Sequence, residues 1–380
     1  MLKGSLQEKN GIYQAVFYYN GKQKWKSTGI KVQRGNKRKA QQRLKEILLE
    51  YESNPHMYDK ISFVDYSRKW LEKEEGAIDI ITFESYKQHV EKHIIPYFEP
   101  LDLRLQQVTF EHIEKYYSYK LHNGRLDGKK GGLSRDSIKR HGVVLSLIFK
   151  DAVKRELIKQ NPCEFAKIPK AQKSKNINYY TKEQCQTLLD IIKGEPLHDM
   201  VYITFLYGLR RSELVGLRWR DINFSAGTVT ICHTIVANGI VVEKDKTKSQ
   251  ASNRVYPLLD DVREMLLNIK EKQKADKKLY GKKYINSGYV FTNEEGKPYY
   301  PDYPSKRLIK IIKRNNLPRI TWHDLRHSCA SALLNENWSM KDISDWLGHA
   351  DISTTMNIYA HLDMTHKRKM GNSLNGLLKA

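Results

Sequence analysis

Two polar stretches without periodicity, Ser53-Asn-Pro55-His and Pro169-Lys-Ala-Gln-Lys-Ser-Lys175, cut this chain into three segments whose hydrophobic patterns differ. A chain of 380 residues is already long for one hydrophobic core. The change of period across each break makes a single core less plausible still. The expected fold is therefore multidomain, mainly α with small β elements. Its parts are a β-sheet plus helix module at 1–55, a helical bundle at 58–168, a linker at 169–178 and a mixed α/β domain at 179–380.

In the first segment, Ile12 to Tyr19 alternates as a strand, Asn20-Gly21 supplies a type I′ turn, and Lys22 to Ile30 returns. A three-stranded sheet is expected, followed by a helix with an apolar stripe of Ala40, Leu44, Ile47, Leu48 and Tyr51. Alternation places Lys22, Lys24 and Lys26 on one face and Gln23, Trp25 and Ser27 on the other. Residues 1–48 hold twelve Lys or Arg against two Glu, so a basic strand ribbon for DNA is expected here. From Ile61 to Ile168 the apolar spacing is helical, interrupted by a Gly/Lys-rich loop at 123–132, and fits a bundle of four or five helices. Lys129, Lys130, Arg135, Lys139 and Arg140 flank that loop as candidate phosphate contacts. In the third segment, Thr181-x-x-Gln184 is a capping-box start, and a short β region with an Asn238-Gly239 turn runs from Gly227 to Leu258.

The balance of charge bounds the partner. Lys and Arg number 66 against 43 Asp and Glu, a formal net charge of +23, which favours a polyanion such as nucleic acid. The four cysteines, Cys163, Cys185, Cys232 and Cys329, lack C-x-x-C spacing and read as single thiols in a reducing compartment. No apolar run approaches a membrane span, and the amino-terminal residues do not resemble a signal peptide. A cytoplasmic location is expected.

The third segment also gathers groups suited to a phosphodiester. In Tyr207-Gly-Leu-Arg210-Arg-Ser-Glu213-Leu, Gly208 can end a helix and deliver Arg210 to a cleft, where a guanidinium grips two phosphate oxygens. Glu213 is placed to hold a neighbour in orientation. Lys244, Lys246 and Lys248 lie at a hairpin turn, any of them a possible acid for a departing alkoxide. His323 and Arg326 stand one helical turn apart, so Arg326 can complete a two-arginine clamp that stabilises charge on phosphoryl oxygens. Ser339 caps a helix ending at Trp346-Leu-Gly348-His349, and Ser353 caps a further one carrying Tyr359, a possible nucleophile. No carboxylate cluster or His/Cys spacing typical of a metal nuclease is found, and no metal or other cofactor is expected.

Taken together, Arg210, Lys246, His323, Arg326, His349 and Tyr359 occur in the order of the tyrosine recombinase family. The boxes Gly208-Leu-Arg-Arg-Ser-Glu-Leu, Thr321-Trp-His-Asp-Leu-Arg-His and Leu347-Gly-His-Ala-Asp-Ile-Ser-Thr-Thr-Met-Asn-Ile-Tyr resemble those of the family over roughly residues 175–365. The resemblance favours Lys246 as the acid, since it opens a Lys-Thr-Lys-Ser turn before Arg254-Val-Tyr-Pro-Leu, with Lys248 a minor rival because the intervening loop is longer. It implies that Tyr359 attacks the scissile phosphate to form a 3′-phosphotyrosyl link, with Arg210, Arg326, His323 and His349 supporting the transfer. It implies further that two rounds of strand exchange pass through a Holliday junction in a homotetramer on double-stranded DNA, without metal or ATP. The three-part layout resembles integrases of phages and conjugative transposons, whose amino-terminal sheet binds arm sites. Excisionase and DNA-bending accessory proteins are then expected partners, and nucleoid association in a bacterial host the expected location. A Xer-type resolvase or an inversion enzyme of the same chemistry is the alternative. The tail from Thr365, with Leu374, Leu377 and Leu378, could pack on a neighbouring subunit or on its own domain.

Overall fold

The computed structural model describes residues 2–19, 21–53, 61–169, 178–245 and 254–348. Lys246, Lys248, His349, Ser353, Tyr359 and the tail lie outside the described residues, as do Asn20 and most of the two polar breaks. The chain divides into two compact units, Met1–Lys173 and Ser174–Ala380.

The first unit contains two separate hydrophobic clusters. One belongs to an antiparallel sheet of β1 (Gly4–Lys9), β2 (Ile12–Tyr19) and β3 (Lys22–Lys31), followed by α1 (Lys37–Ser53). Asn10 and Gly11 both take positive φ, 55° and 71°, as the β1–β2 turn demands. Ala15, Phe17 and Tyr19 pack beneath Leu44, Ile47 and Tyr51 of α1, with the Phe17 ring edge-on to Tyr51 at 4.6 Å. The register settles which sheet face is covered. Tyr19 pairs with Lys22, Phe17 with Lys24 and Ala15 with Lys26, and directly paired residues share a face.

The other cluster is helical: α2 (Phe63–Glu74), α3 (Ile80–His89), a π-type turn over Val90–Ile94, α4 (Ile95–Phe98), α5 (Phe110–Asn123) and α6 (Arg135–Lys154). Ser62 and Ser134 cap α2 and α6 by accepting the N–H of Asp65 and Ser137. Phe63 stacks on Phe149 at 5.1 Å and meets Phe98 edge-on, so α2, α4 and α6 share a core. The buried Tyr66 hydroxyl donates to Asp151, which also receives Lys73 and Arg155.

The second unit opens with α7 (Lys182–Ile191), where Thr181 and Gln184 form the capping box reciprocally. It continues through α8 (Pro196–Tyr207), the five-residue α9 (Arg211–Val215), β4 (Ile222–Asn223), β5 (Thr228–Ile231), β6 (His233–Asn238) and β7 (Ile240–Asp245). It then runs through β8 (Arg254–Pro257), α10 (Asp260–Tyr280), α11 (Tyr303–Arg314), α12 (Trp322–Asn335) and α13 (Met340–Leu347). The β region pairs as a sheet of order β4-β5-β8 and a separate β6-β7 hairpin turning at Gly239, φ 77°. The apolar α8, rich in fully buried residues such as Met200, Val201 and Ile203, is the centre of the core. No helix among the described residues is long and apolar enough to cross a membrane.

Candidate active site

Three chain segments change direction at one place. Helix α8 stops because Gly208 takes the left-handed conformation, φ 59°. A Cβ at Gly208 would lie 2.2 Å from Leu347 Cδ2, so the turn is also pressed against the end of α13. Two residues on, Arg210 caps α9, and Glu213 folds back on it. Arg210 donates its backbone N–H to Glu213 Oε2 and its Nη1 to Oε1, both at 2.9 Å. The Glu213 side chain is completely buried, whereas that of Arg210 is 40% exposed. Glu213 thus holds Arg210 by two hydrogen bonds, from a helix only one turn and a half long.

Arg326 enters from α12 and points inward. It is 1% exposed, donating Nη1 to the Gly208 carbonyl at 2.6 Å and Nη2 to the Leu347 carbonyl at 2.7 Å. Burial, reinforced by Arg210, pushes its pKa down to about 10. Arg210 Nη2 reaches the next carbonyl, Gly348 O, at 3.1 Å. The expected pair of arginines is brought together, Arg326 on the Leu347 carbonyl and Arg210 on the next one, Gly348, at the end of α13. That end carries the negative pole of the helix and its unmatched C=O groups. Gly348, left-handed at φ 66°, ends α13, while the Ser339 hydroxyl begins it by accepting the Asp342 N–H.

His323 stands one turn before Arg326, its ring edge-on to His327 at 4.7 Å. Loss of water around the ring lowers its pKa, and Arg326 and Arg210 add to that while Asp324 opposes it. His327 is lowered to about 4, again chiefly by burial. A neutral imidazole at His323 offers one nitrogen as an acceptor and one N–H as a donor.

Several contributors escaped the sequence reading. Arg254, at the start of β8, donates Nη2 to Glu213 Oε2 at 2.5 Å and Nη1 to the Leu347 carbonyl. Tyr256, two residues on, donates its hydroxyl to the Trp346 carbonyl. A second network holds the β6–β7 hairpin. Arg218 Nη1 donates to Asp245 Oδ1 at 2.7 Å and Nε to Asp221 at 2.6 Å. His233 joins the same Asp245 oxygen through Nδ1 at 2.8 Å and the Tyr289 hydroxyl through Nε2 at 2.9 Å. Those hydrogen bonds, His233 first and then Arg218, hold the Asp245 carboxyl below its ordinary range. Asp245 is the residue immediately before Lys246.

The candidate DNA contacts fall in two places. Lys129 and Lys130 are exposed on the α5–α6 loop, Lys139 and Arg140 are exposed on α6, and Arg135 is half-buried with Nε on the Pro169 carbonyl. Lys22, Lys24 and Lys26 do not form an open basic face. They share the side of the sheet that α1 covers, standing on its edge strand beyond the helix. The open face carries Ser5, Gln14, Tyr18, Gln23, Trp25 and Ser27, with Tyr18 66% and Trp25 45% exposed. Alternation separated the two faces correctly, but the buried partners Ala15, Phe17 and Tyr19 decide which one α1 covers.

A helical bundle followed by a mixed domain, with an arginine after Gly-Leu, a His-x-x-Arg helix and a Leu-Gly helix end converging, defines the class: a tyrosine-type site-specific recombinase. The chain belongs to the phage integrase family, matching the phage integrase family over residues 178–366 and the phage integrase SAM-like domain over residues 62–168. Among its relatives is a XerC-like tyrosine recombinase of Caldanaerobacter subterraneus subsp. tengcongensis, 27% identical over 338 residues and 84% of each chain. The ICEBs1 integrase of Bacillus subtilis is 28% identical over 302 residues, 78% of each chain. In fold, the protein resembles the Tn1549 transposon integrase solved with a circular intermediate DNA. The TM-score is 0.68 at 21% identity, covering 83% of this chain and 99% of that one.

Proposed function

We propose that this protein is the integrase of a mobile genetic element, cutting and rejoining double-stranded DNA through a 3′-phosphotyrosyl intermediate. The observation that carries the reading is the convergence of Arg210 and Arg326 on the carbonyls of Leu347 and Gly348. Two guanidiniums that can hold adjacent carbonyl oxygens have the spacing and donor geometry to hold two oxygens of a phosphate. Those carbonyls belong to the two residues directly before His349, in the segment that leads to Tyr359.

In this reading Tyr359 attacks the scissile phosphate and displaces the 5′-oxygen. Lys246, delivered by the β6–β7 hairpin, protonates that oxygen. Arg210 and Arg326 stabilise the charge growing on the non-bridging oxygens, Glu213 keeps Arg210 in place, and His323 and His349 supply hydrogen bonds and proton transfer. The 5′-hydroxyl of a partner strand reverses the step, so the bond energy is conserved without ATP. Two duplexes present four strands to be cut, one nucleophile each, which calls for four protomers. Residues 58–168 and 179–380 would grip the core site, with Lys129, Lys130, Arg135, Lys139 and Arg140 on phosphates. Residues 1–55 would bind separate arm sites, and excisionase and DNA-bending proteins would set direction. The XerC-like relative keeps a resolvase as the second reading; specific binding by residues 1–55 at a site distant from the crossover distinguishes the two.

Incubation with a nicked suicide duplex of the attachment site should trap a covalent protein–DNA adduct, and Tyr359→Phe should abolish it while leaving binding intact. An adduct that persists in Tyr359→Phe overturns the assignment. A 5′-bridging phosphorothiolate leaves without a proton, so it should restore cleavage to Lys246→Ala but not to Arg210→Ala. Absence of that rescue would move the acid role to Lys248 or a histidine.

A further inference from the structure

We propose that Arg254 is a positioning residue for strand cleavage, locking Glu213 onto Arg210 and fixing the end of α13 from which the chain runs on to His349 and Tyr359. The inference rests on the recombinase reading above. It begins with an arginine on the inward side of a strand: in β8 Arg254 and the core residue Tyr256 turn inward, 9% and 4% exposed, while Val255 between them is 64% exposed. Apolar burial accounts for Tyr256; something else holds the inward guanidinium beside it.

The contacts of Arg254 show what that is. One terminal nitrogen meets Glu213 Oε2, the oxygen that also receives the backbone N–H of Arg210, so the carboxylate is held from both sides. The other terminal nitrogen joins Arg326 on the Leu347 carbonyl; one carbonyl oxygen has two lone pairs, and both are used. The side chain also lies flat on the backbone of the Leu-Gly turn, since a Cβ at Gly348 would come within 2.4 Å of Arg254 Cδ and Nη1. Gly348 is thus required twice, for its positive φ and for the guanidinium beside it. Arg254 acts through Glu213 and Leu347, the groups its two terminal nitrogens hold.

A buried ion pair that served only stability could be replaced by packed apolar groups at little cost, so folding alone does not test the idea. The test is a double-mutant cycle in the full-length protein: native, Arg254→Met, Glu213→Gln and the double variant. Each is assayed for core-duplex affinity and for single-turnover adduct formation on the suicide duplex. Arg254→Met should bind core DNA within about twofold of native yet form adduct roughly tenfold to a hundredfold more slowly, as when a group that orients a ligand is removed. In the Glu213→Gln background the same change should cost less than about threefold more, because the two act as one unit. Fully additive losses, a native cleavage rate, or a rate loss matched by lost DNA affinity would each overturn the proposal. Should Arg254→Met not fold, Arg254→Lys is read in the same cycle. A single ammonium cannot span Glu213 and Leu347 as the fork does, so slowed adduct formation with the same non-additivity supports the role, and a native rate overturns it. Failure of the recombinase reading itself would appear separately, as absence of a Tyr359-dependent adduct in the native protein.

Discussion

At the residue scale, the site is a matter of which carbonyl and carboxylate oxygens the guanidiniums share. The Gly208 turn makes the tightness of that arrangement measurable. Its φ of 59° is unfavourable for any residue with a Cβ, and the added carbon would overlap Leu347 Cδ2. Gly208→Ala should therefore cost about 1–3 kcal/mol of stability through strain and forced repacking, visible as a lowered urea midpoint. It should also slow adduct formation more than it weakens DNA binding, since Arg326 bonds the Gly208 carbonyl. An unchanged midpoint and rate would show that the turn tolerates a side chain. Arg210, Glu213 and Arg326 were legible in the sequence because each lies in a box whose glycine and spacing announce a turn or a helix face. Arg254 was not legible as part of the site. An arginine opening a strand ordinarily reads as a solvated charge, and only the outward Val255 beside it hints otherwise. Lys246, His349 and Tyr359 rest on the motif order and the family, and their roles are for the cleavage experiments to decide.

At the element scale, the caps were readable and the irregular turns were not. Thr181, Ser134, Ser339 and Gly208 start or stop helices where their chemistry requires. The π-type turn at Val90–Ile94 carries no such signal in the sequence, yet it brings His89 and His93 each within 4.7 Å of His141 on α6, ring centre to ring centre. His141 is buried, with Nδ1 hydrogen-bonded to the Tyr116 hydroxyl at 2.8 Å, and the buried His93 Nδ1 has no hydrogen-bond partner among the described residues. Around them stand Lys120 of α5, Lys92 of the π-type turn and Arg140 of α6. Burial first, then these cations and the neighbouring rings, lower His141 to about 3 and His93 to about 4, with His89 lowered as well. The folded bundle favours neutral rings, whereas the unfolded chain protonates near pH 6.5. The associated stability is complete above about pH 6.5 and is lost as the pH falls towards 4. Thermal melts should show a lower Tm at pH 5 than at pH 7, and His141→Gln should flatten that difference even though it lowers Tm at pH 7 through the lost Tyr116 contact. An equal acid sensitivity in His141→Gln would assign the effect elsewhere.

At the scale of the whole molecule, the two polar breaks and the changes of period were enough to anticipate a sheet module, a helical bundle and a mixed domain. Which face of the sheet stays open was beyond the sequence, because it depends on where α1 settles, and α1 settles over Ala15, Phe17 and Tyr19. The open face is polar and aromatic, with the lysines along one edge, a composition suited to reaching base edges while cations meet flanking phosphates. Deleting residues 1–55 should abolish binding to arm-site DNA and remove its steep salt dependence, measured as the slope of log affinity against log salt. Cleavage of a core duplex should survive. Loss of core cleavage with arm binding retained would contradict the division of labour. The cleavage predictions all depend on a single covalent bond. Its most direct measurement is mass spectrometry of the peptide left on the DNA after proteolysis of a trapped adduct. A 3′-phosphate esterified to Tyr359, with a free 5′-hydroxyl on the released strand, is the expected result; attachment through any other residue, or cleavage with no protein–DNA link, would contradict the account.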